Sequence, residues 1–370
     1  MSDIAAQGTP ERRITGRRDG GERSRGRVAR AWLGLAMLAG LTVPLAVASP
    51  AAAHDNPAHH KPSHAYVTNV EDDNVSVIST KTNTVTTTIP VGDRPLAVAI
   101  TPNGRHAYVT NNNSDNVSVI DTKTNRVTTT IPVGDGPIGV AVTPNGHRVY
   151  VANFTGDSVS VIDTRTNRVT TTIPVGDGPF GVAVTPNGHR VYVANDLGDD
   201  VSVIDTRTNR VITTIRVGDG PGNLAVTPNG HRVYVTNASS DNVSVINTKT
   251  NTVTTTIPAG DLPNGVAVTP NGHRVYVTNL NSGTVSVIDT RTNTVTATIR
   301  VGTWPRGVAF TPNGDRAYVA NQLSNTVSVI DTRTNTVTTT IPAGDGPVGV
   351  AIAEACRSHV RGCGEGGAGQ

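Results

Sequence analysis

Residues 139–180, GVAVTPNGHRVYVANFTGDSVSVIDTRTNRVTTTIPVGDGPF, decide the fold. Four short runs rich in Val, Ile and Thr alternate in this stretch with segments rich in Asn, Gly, Asp and Pro. Val, Ile and Thr favour pleated strands, whereas Asn, Gly, Asp and Pro favour tight turns. The run 159–163, followed by the turn 164–167, is typical of a hairpin. The stretch therefore predicts four short strands of alternating direction.

The same pattern recurs every 42 residues without insertion or deletion. All seven tyrosines obey this spacing, at Tyr66, Tyr108, Tyr150, Tyr192, Tyr234, Tyr276 and Tyr318. A fixed period indicates a repeat architecture, and four strands per repeat are typical of a propeller blade, whose sheets stack radially around an axis. The sequence therefore predicts an all-β fold, a seven-bladed β-propeller of four-stranded blades.

The two ends of the repeat region predict how the ring closes. The first copy begins at His64 with its tyrosine strand and lacks the strand that precedes the tyrosine in the other copies. The segment 348–352 supplies such a strand after the last complete copy. Pairing the two would leave no long free strand edge. We expect the propeller to occupy residues 64–352, closed by pairing of the C-terminal strand with the first blade.

Two recurring tetrapeptides carry a resemblance to a known family. Tyr-Val-Thr-Asn begins at Tyr66, Tyr108, Tyr234 and Tyr276, and the other three copies read Tyr-Val-Ala-Asn. Together with the repeated Val-Ser-Val-Ile-Asp-Thr and Thr-Pro-Asn-Gly motifs, they make residues 64–352 resemble the YVTN β-propeller repeat. The resemblance implies an exported or surface-layer-like propeller. Because similar propellers include lactonase-like enzymes, it leaves binding and catalysis both open.

Residues 1–53 differ in kind from the repeats. An arginine-rich stretch precedes an apolar run at 32–47, which is shorter than the roughly 20 residues that a membrane span needs. Small residues follow, and we interpret 1–53 as a signal peptide cleaved between Ala48 and Ala53, exported by either the Sec or the twin-arginine route. We expect a secreted or extracellular cell-surface protein with no transmembrane span after processing.

Two short segments flank the predicted propeller. Residues 54–63 are rich in His and Pro and are interpreted as a linker, with loose capture of a metal ion by the histidines as the alternative. Residues 353–370 form a tail that contains both cysteines of the chain, Cys356 and Cys363. In an exported protein a disulfide between them is expected. No cofactor is predicted.

Charge divides between the two faces of the predicted disc. We name the side with the Thr-Pro-Asn-Gly and Thr-Lys/Arg-Thr-Asn turns the turn face, and the side with the Gly-Asp-x-Pro loops and the tyrosine-strand exits the mouth face. The turn face carries 16 Lys and Arg against six Asp, and the mouth face carries 15 Asp and Glu against four Arg. Such a field suits an anionic envelope polymer on the turn face, although copying of turn residues seven times also explains it.

Nucleic acid is not a favoured partner. Residues 54–370 contain 23 Lys and Arg and 24 Asp and Glu, so the net charge of +3 of the whole chain comes from the predicted signal peptide. In addition, no aromatic residues alternate with basic ones on the turn face as a stacking platform for bases requires.

The repeats diverge most in the loops that lead into the innermost strands, at the mouth of the predicted channel. The candidate ligand-binding residues there are Trp304, Arg306, Phe180, Asn264, Asn223 and Leu96. Their mixture of apolar and hydrogen-bonding groups suits a small molecule, a peptide or a cell-envelope glycan. Drift in tolerant loops is the alternative explanation of the divergence.

Catalysis has weaker support than binding. Catalytic residues should break the repeat symmetry, and the residues that break it here are mostly apolar. The repeated loop aspartates suggest Ca²⁺, but adjacent sheets lie about 10 Å apart whereas Ca²⁺ needs oxygens at about 2.4 Å. The sequence thus predicts an exported binding or scaffolding propeller with its ligand at the acidic mouth face. The alternative is a lactonase-like hydrolase with a metal in the central channel.

Overall fold

The computed structural model describes residues 63–354. The predicted signal peptide, nearly all of the predicted linker, and the predicted disulfide between Cys356 and Cys363 lie outside the described residues. Within them, no helix has the length and apolar character that a membrane crossing requires.

Residues 63–354 form 28 strands and one short 3₁₀ helix, Gln322–Ser324. The strands are β1 Ser63–Asn69, β2 Asn74–Ser79, β3 Thr84–Pro90, β4 Pro95–Ile100, β5 His106–Asn111, β6 Asn116–Asp121, β7 Arg126–Pro132, β8 Pro137–Val142, β9 Arg148–Asn153, β10 Ser158–Asp163, β11 Arg168–Pro174, β12 Pro179–Val184, β13 Arg190–Asn195, β14 Asp200–Asp205, β15 Arg210–Arg216, β16 Pro221–Val226, β17 Arg232–Asn237, β18 Asn242–Asn247, β19 Thr252–Pro258, β20 Pro263–Val268, β21 Arg274–Asn279, β22 Thr284–Asp289, β23 Thr294–Arg300, β24 Pro305–Phe310, β25 Arg316–Asn321, β26 Thr326–Asp331, β27 Thr336–Pro342 and β28 Pro347–Glu354.

These strands form seven antiparallel sheets of four strands, and each sheet is one blade. Blade 1 has the order β28-β1-β2-β3, while blades 2 to 7 are built from consecutive strands, beginning with β4–β7 and ending with β24–β27. In blade 1, Tyr66 lies opposite Ala351 and His64 opposite Ala353. The prediction of seven four-stranded blades closed by the C-terminal strand is therefore confirmed.

The hydrophobic core lies between blades. The tyrosine strands are almost entirely buried, whereas the outermost strands alternate exposed and half-buried residues. One core cluster combines Tyr66 and Val77 of blade 1 with Val109 and Ile120 of blade 2, and equivalent clusters follow around the ring. The seam is filled in the same way, by residues of blades 7 and 1. Each blade is therefore stabilised mainly through its two neighbours.

Every tyrosine also makes a hydrogen bond to the next blade. The Tyr66 hydroxyl donates to Oδ1 of Asn125 at 2.7 Å, and the Tyr318 hydroxyl closes the ring by donating to Asn83 at 2.7 Å. The accepting asparagines sit in the Thr-Lys/Arg-Thr-Asn turns with positive φ, a conformation that asparagine tolerates better than most residues. A buried hydroxyl needs such a partner, which explains why both residues recur in every copy.

Burial makes the tyrosines difficult to ionise. Desolvation, with a smaller contribution from a nearby aspartate, raises the pKa of Tyr66 and Tyr108 to about 12. Desolvation raises the pKa of the other five tyrosines as well. Because the folded state favours the neutral phenol, this contribution to stability is complete below about pH 10, the ordinary pKa of tyrosine, and is lost as the pH rises toward 12.

We therefore predict that the tyrosines ionise only when the propeller unfolds. Absorbance of tyrosinate should stay low through pH 10 and rise steeply together with loss of the β-sheet circular dichroism signal between about pH 10 and 12. The same titration in concentrated guanidinium, where the tyrosines are exposed, is the control and should centre near pH 10. Gradual ionisation near pH 10 while the protein remains folded would contradict the tyrosine environment described above.

Candidate functional site

The threonine of Tyr-Val-Thr-Asn links the innermost strands of neighbouring blades. In blade 6, the Thr278 hydroxyl accepts the Gly265 amide at 2.7 Å and donates to the carbonyl of Arg306 in blade 7 at 2.6 Å. Thr236 makes the same link from blade 5 to Asn264 in blade 6 at 2.8 Å. These bonds bridge the β-bulges at which the innermost strands begin. They fix the backbone of the mouth across blades 5, 6 and 7.

Links of the same kind join blades 1, 2 and 3. Thr68 donates to the carbonyl of Leu96 at 2.9 Å, and Thr110 donates to that of Ile138 at 2.7 Å. In the Tyr-Val-Ala-Asn copies the hydroxyl is missing, since Ala152, Ala194 and Ala320 replace the threonine. Blade 4 therefore lacks this threonine hydrogen bond at both of its boundaries, and the boundary between blades 7 and 1 lacks it as well. Two linked groups of three blades result, and the seven mouth strands are not equivalent.

A left-handed residue precedes the proline of each Gly-Asp-x-Pro loop. Glycine occupies this position in four loops, but Arg94, Leu262 and Trp304 adopt the same conformation, with φ of 52°, 57° and 56°. A side chain in this region costs on the order of 1 kcal/mol relative to glycine. The three side chains are therefore held at the mouth against a local backbone preference.

The aspartates of the hairpins between the second and third strands of a blade support these loops. Their carboxylates accept the amide of the left-handed residue of the following blade at 2.8–3.0 Å, as the pairs Asp73 with Arg94 and Asp241 with Leu262 illustrate. The loop of blade 7 departs from the pattern, because Gly283 of blade 6 replaces the supporting aspartate and Thr303 replaces the loop aspartate. The acidic mouth face therefore has a gap beside Trp304.

The mouth cluster, which we define as Trp304, Arg306 and Gln322, occupies this gap. The guanidinium carbon of Arg306 lies 5.5 Å from the centre of the Trp304 ring, within the range of a cation–π interaction. Nε of Arg306 donates to Oε1 of Gln322 at 2.7 Å, and the backbone N–H of Gln322 donates to the backbone carbonyl of Trp304 at 3.0 Å. The three residues hold one another in a fixed arrangement.

Arg306 is a buried cation, with only 8% of its surface exposed. Desolvation, together with the positive charge of Arg94, lowers the pKa of its guanidinium to about 10. It is still protonated at neutral pH, so that the mouth contains a permanent positive charge in surroundings of low polarity. Such a charge attracts a carboxylate, a phosphate or another strong hydrogen-bond acceptor.

The other residues predicted from sequence are spread around the mouth. Phe180 of blade 4 packs edge-on against Phe154, with ring centres 6.4 Å apart. Nδ2 of Asn223 donates to the carbonyl of Asn264 at 3.2 Å, and Asn264 is buried. Leu96 is the second residue of the innermost strand of blade 2, and its carbonyl accepts the bond from a threonine of blade 1. Of the six predicted residues, Trp304 and Arg306 meet through their side chains, and Asn223 meets Asn264 through a bond from side chain to backbone.

Sequence reasoning overlooked Gln322 and the threonine links. The sequence carried a signal for Gln322, since the residue after the tyrosine-strand asparagine differs in all seven copies. The threonines gave no such signal, because Thr and Ala are equally compatible with a buried strand position. Their role depends on the bulge in the neighbouring strand, which the sequence does not reveal.

The donor groups at the mouth do not fit a metal site. Within residues 63–354, no three His, Cys, Asp or Glu side chains are grouped as ligands of one ion. The mouth cluster itself presents a cation, an indole and an amide, none of which is a typical ligand of a divalent ion. The mouth cluster therefore offers no typical ligand for a divalent ion.

Comparison with known families identifies propellers. A family model described as a lactonase, 7-bladed β-propeller matches residues 140–299 and 266–344, which together make up more than half of the chain. A model of YNCE-like β-propellers matches residues 25–145. No curated protein matches the sequence. The finer resemblance to the YVTN repeat stays a prediction.

Solved structures agree on the fold. The chain is similar to the hydrazine synthase of Kuenenia stuttgartiensis, with a TM-score of 0.64 and 23% identity over 70% of this chain and 95% of that chain. A functionally unknown protein from Desulfotomaculum acetoxidans DSM 771 gives a TM-score of 0.70 at 18% identity, covering 79% and 99%. A protein proposed to be a 6-phosphogluconolactonase, from Bacteroides uniformis ATCC 8492, gives 0.69 at 18%, covering 79% and 100%. At these identities the likeness concerns the fold alone.

Replacing Thr278 by alanine tests the threonine link. The variant removes two buried hydrogen bonds and should lower the free energy of unfolding by about 1–3 kcal/mol without preventing folding, because three natural copies carry alanine there. Urea unfolding followed by circular dichroism measures the loss. Thr250→Ala, in an exposed turn, is the matched control and should change stability by less than about 0.5 kcal/mol. Equal effects of the two substitutions would show that the link adds no stability.

Proposed function

Because this chain belongs to the seven-bladed β-propeller family of the lactonase model, we propose that it is a binding propeller whose ligand contacts the mouth cluster. The ligand is a small molecule or a fragment of a peptide or envelope glycan that carries a carboxylate or a similar acceptor. Its acceptor group is attracted by Arg306, and its apolar or ring-shaped part lies against Trp304.

The observation that carries this proposal is the exceptional composition of blade 7. Its loop holds a tryptophan where four loops have glycine, and has neither its own aspartate nor the supporting aspartate of the preceding blade, since Thr303 and Gly283 stand at these positions. A half-buried indole beside a fixed cation offers both apolar contact and charge. Ligand pockets typically combine an apolar lining with a few well-placed polar groups.

A hydrolase is the second candidate, and the family match favours it. Opening a lactone requires a base to activate water and a donor to stabilise the developing oxyanion. Arg306 would suit the second role. The mouth cluster contains no carboxylate or histidine for the first, and binding therefore ranks above hydrolysis.

Export is part of the proposal. The N-terminal segment 1–53 has the arginine-rich start, short apolar run and small-residue end of a signal peptide. N-terminal sequencing of protein recovered from the culture medium or cell surface should begin at a residue between 49 and 54. Retention of the full chain inside the cell, still beginning at Met1, would contradict export.

Replacing Trp304 by glycine tests the binding site. Glycine suits the left-handed backbone, so the substitution removes the indole without adding backbone strain. Wild-type protein should be stabilised in thermal unfolding by N-acetylmuramic acid, by up to about 2.7 kcal/mol at 100-fold excess over Kd, and much less by uncharged N-acetylglucosamine. The stabilisation should be lost in Trp304→Gly.

Leu262→Gly is the matched control, because it also introduces glycine at the left-handed position, in the loop of blade 6. This variant should still be stabilised by N-acetylmuramic acid. If both variants lose this stabilisation, the mouth cluster is not the site. If neither carboxylated sugars nor aldonates stabilise the wild type, the proposal of a ligand with a carboxylate is contradicted. Steady turnover of gluconolactone above the uncatalysed rate would favour the hydrolase instead.

A further inference from the structure

A polar groove opens on the turn face between blades 4 and 5. It encloses about 800 Å³. The turn between β12 and β13 contributes one wall, with Asn187 and His189, and the turn between β16 and β17 contributes the other, with Asn229 and His231. Arg207 of the outer turn of blade 4 completes the lining. The groove lies on the opposite face from the mouth cluster and is therefore a separate candidate site.

The outer turn of blade 5 holds one cation of the groove, the guanidinium of Arg190 in blade 4. Nη1 of Arg190 donates across the blade boundary to the carbonyl of Thr248 at 2.5 Å and to Oδ1 of Asn251 at 3.4 Å. The Arg207 side chain is exposed, while its backbone amide is fixed by Oδ1 of Asp205 at 3.1 Å. Two guanidinium groups thus border the groove, of which that of Arg190 is held by hydrogen bonds and that of Arg207 extends into solvent.

The single carboxylate of the groove lining is occupied by its own turn. Oδ1 of Asp205 accepts the amides of Arg207 and Thr208 and the hydroxyl of Thr208, at 2.8–3.1 Å. These bonds, led by that from the Thr208 amide, lower the pKa of Asp205. Asp205 remains charged, but its first role is to cap the turn. The remaining lining is cationic or neutral.

Positive charge on the turn face is greatest in blades 2 to 4, which lie on one side of this groove. The outermost strand begins with arginine in blades 2, 3 and 4, at Arg126, Arg168 and Arg210, but with threonine in the other four blades. The Thr-Pro-Asn-Gly turn is followed by histidine in blades 3 to 6 and by Asp315 in blade 7. The copying of one turn sequence does not explain this asymmetry. An anionic partner that contacts these arginines would extend from the groove across blades 4, 3 and 2.

The groove has no aromatic side chain in its lining, and this limits the chemical classes of partner that it can bind. Among the described residues, the tyrosines are buried, Phe154, Phe180 and Trp304 belong to the mouth face, and Phe310 packs against Tyr276 with ring centres 4.9 Å apart. Bases of single-stranded nucleic acid need aromatic faces for stacking, and pockets for ring-shaped ligands are usually lined by aromatic and apolar groups. The groove offers cations for phosphates, and amides for hydroxyls.

We propose that the turn face docks a linear polymer of alternating polyol and phosphate units, bound in the groove between blades 4 and 5. Phosphates pair with Arg207 and Arg190, and polyol hydroxyls meet the side-chain amides of Asn187 and Asn229. The arginines of blades 2 to 4 continue the contact along the polymer. Docking on this face leaves the mouth cluster open to its own ligand.

Charge reversal of Arg207 tests the docking. Binding of poly(glycerol phosphate) to the signal-free protein is measured by isothermal titration calorimetry at 50 mM salt. Arg207→Glu should weaken it about tenfold, and 200 mM salt should weaken wild-type binding on the order of tenfold or more, because several counterions are released together. Arg291→Glu is the matched control, since Arg291 occupies the same turn position in blade 6, outside the groove, and should change the affinity less than about twofold.

Three outcomes would overturn the docking proposal. Equal losses in the two variants would indicate a diffuse electrostatic effect with no defined groove. Tighter binding of single-stranded poly(dT) than of poly(glycerol phosphate) would indicate a nucleic-acid surface. No binding of poly(glycerol phosphate) at 50 mM salt would exclude the polymer. Trp304→Gly should bind the polymer as the wild type does, so failure of this proposal is distinguishable from failure of the mouth site.

Discussion

The structure depends on hydrophobic cores that no blade possesses alone. Each core cluster combines the tyrosine strand of one blade with apolar residues of the next, and the tyrosine hydroxyl adds a hydrogen bond across the same boundary. A single four-stranded blade would expose both of its apolar faces to water. Stability therefore arises only when all seven boundaries are filled, which requires β28 to complete blade 1. The strict length of the repeat follows, since each boundary must present the same residues in the same register.

A rigid and nearly symmetric ring places functional differences at the ends of its strands. Interior positions repeat because packing fixes them, whereas loops can vary without disturbing the cores. Blade 7 has a tryptophan where four blades have glycine, and a buried arginine where the other six blades have uncharged residues. The threonine links around blades 5 to 7 fix the backbone beneath these side chains. The loops of the mouth face and of the turn face can therefore differ in composition while the cores between blades stay the same.

Much of the fold could be predicted from the sequence, because the period, the alternation of Val with polar residues and the turn motifs all indicate the same architecture. The mouth residues could be located because they depart from the repeat. Their contacts could not be predicted. Burial of Arg306 depends on Trp304 and Gln322 meeting across two loops, and burial of Asn264 depends on its neighbours Thr236 and Asn223. Such contacts depend on β-bulges and loop conformations that a one-dimensional pattern does not contain.

The pairing of β28 with β1 has a consequence for how such a gene can change. The closing strand offers the same pairing edge as the innermost strand of every other blade, and each boundary between blades is built from equivalent residues. Gain or loss of one whole repeat would leave all boundaries intact and would alter only the curvature of the ring. A deletion within a repeat would instead leave one boundary unmatched. We therefore expect related propellers to differ in length by whole blades. The terminal strand should be kept in each, because it closes the ring whatever the number of blades.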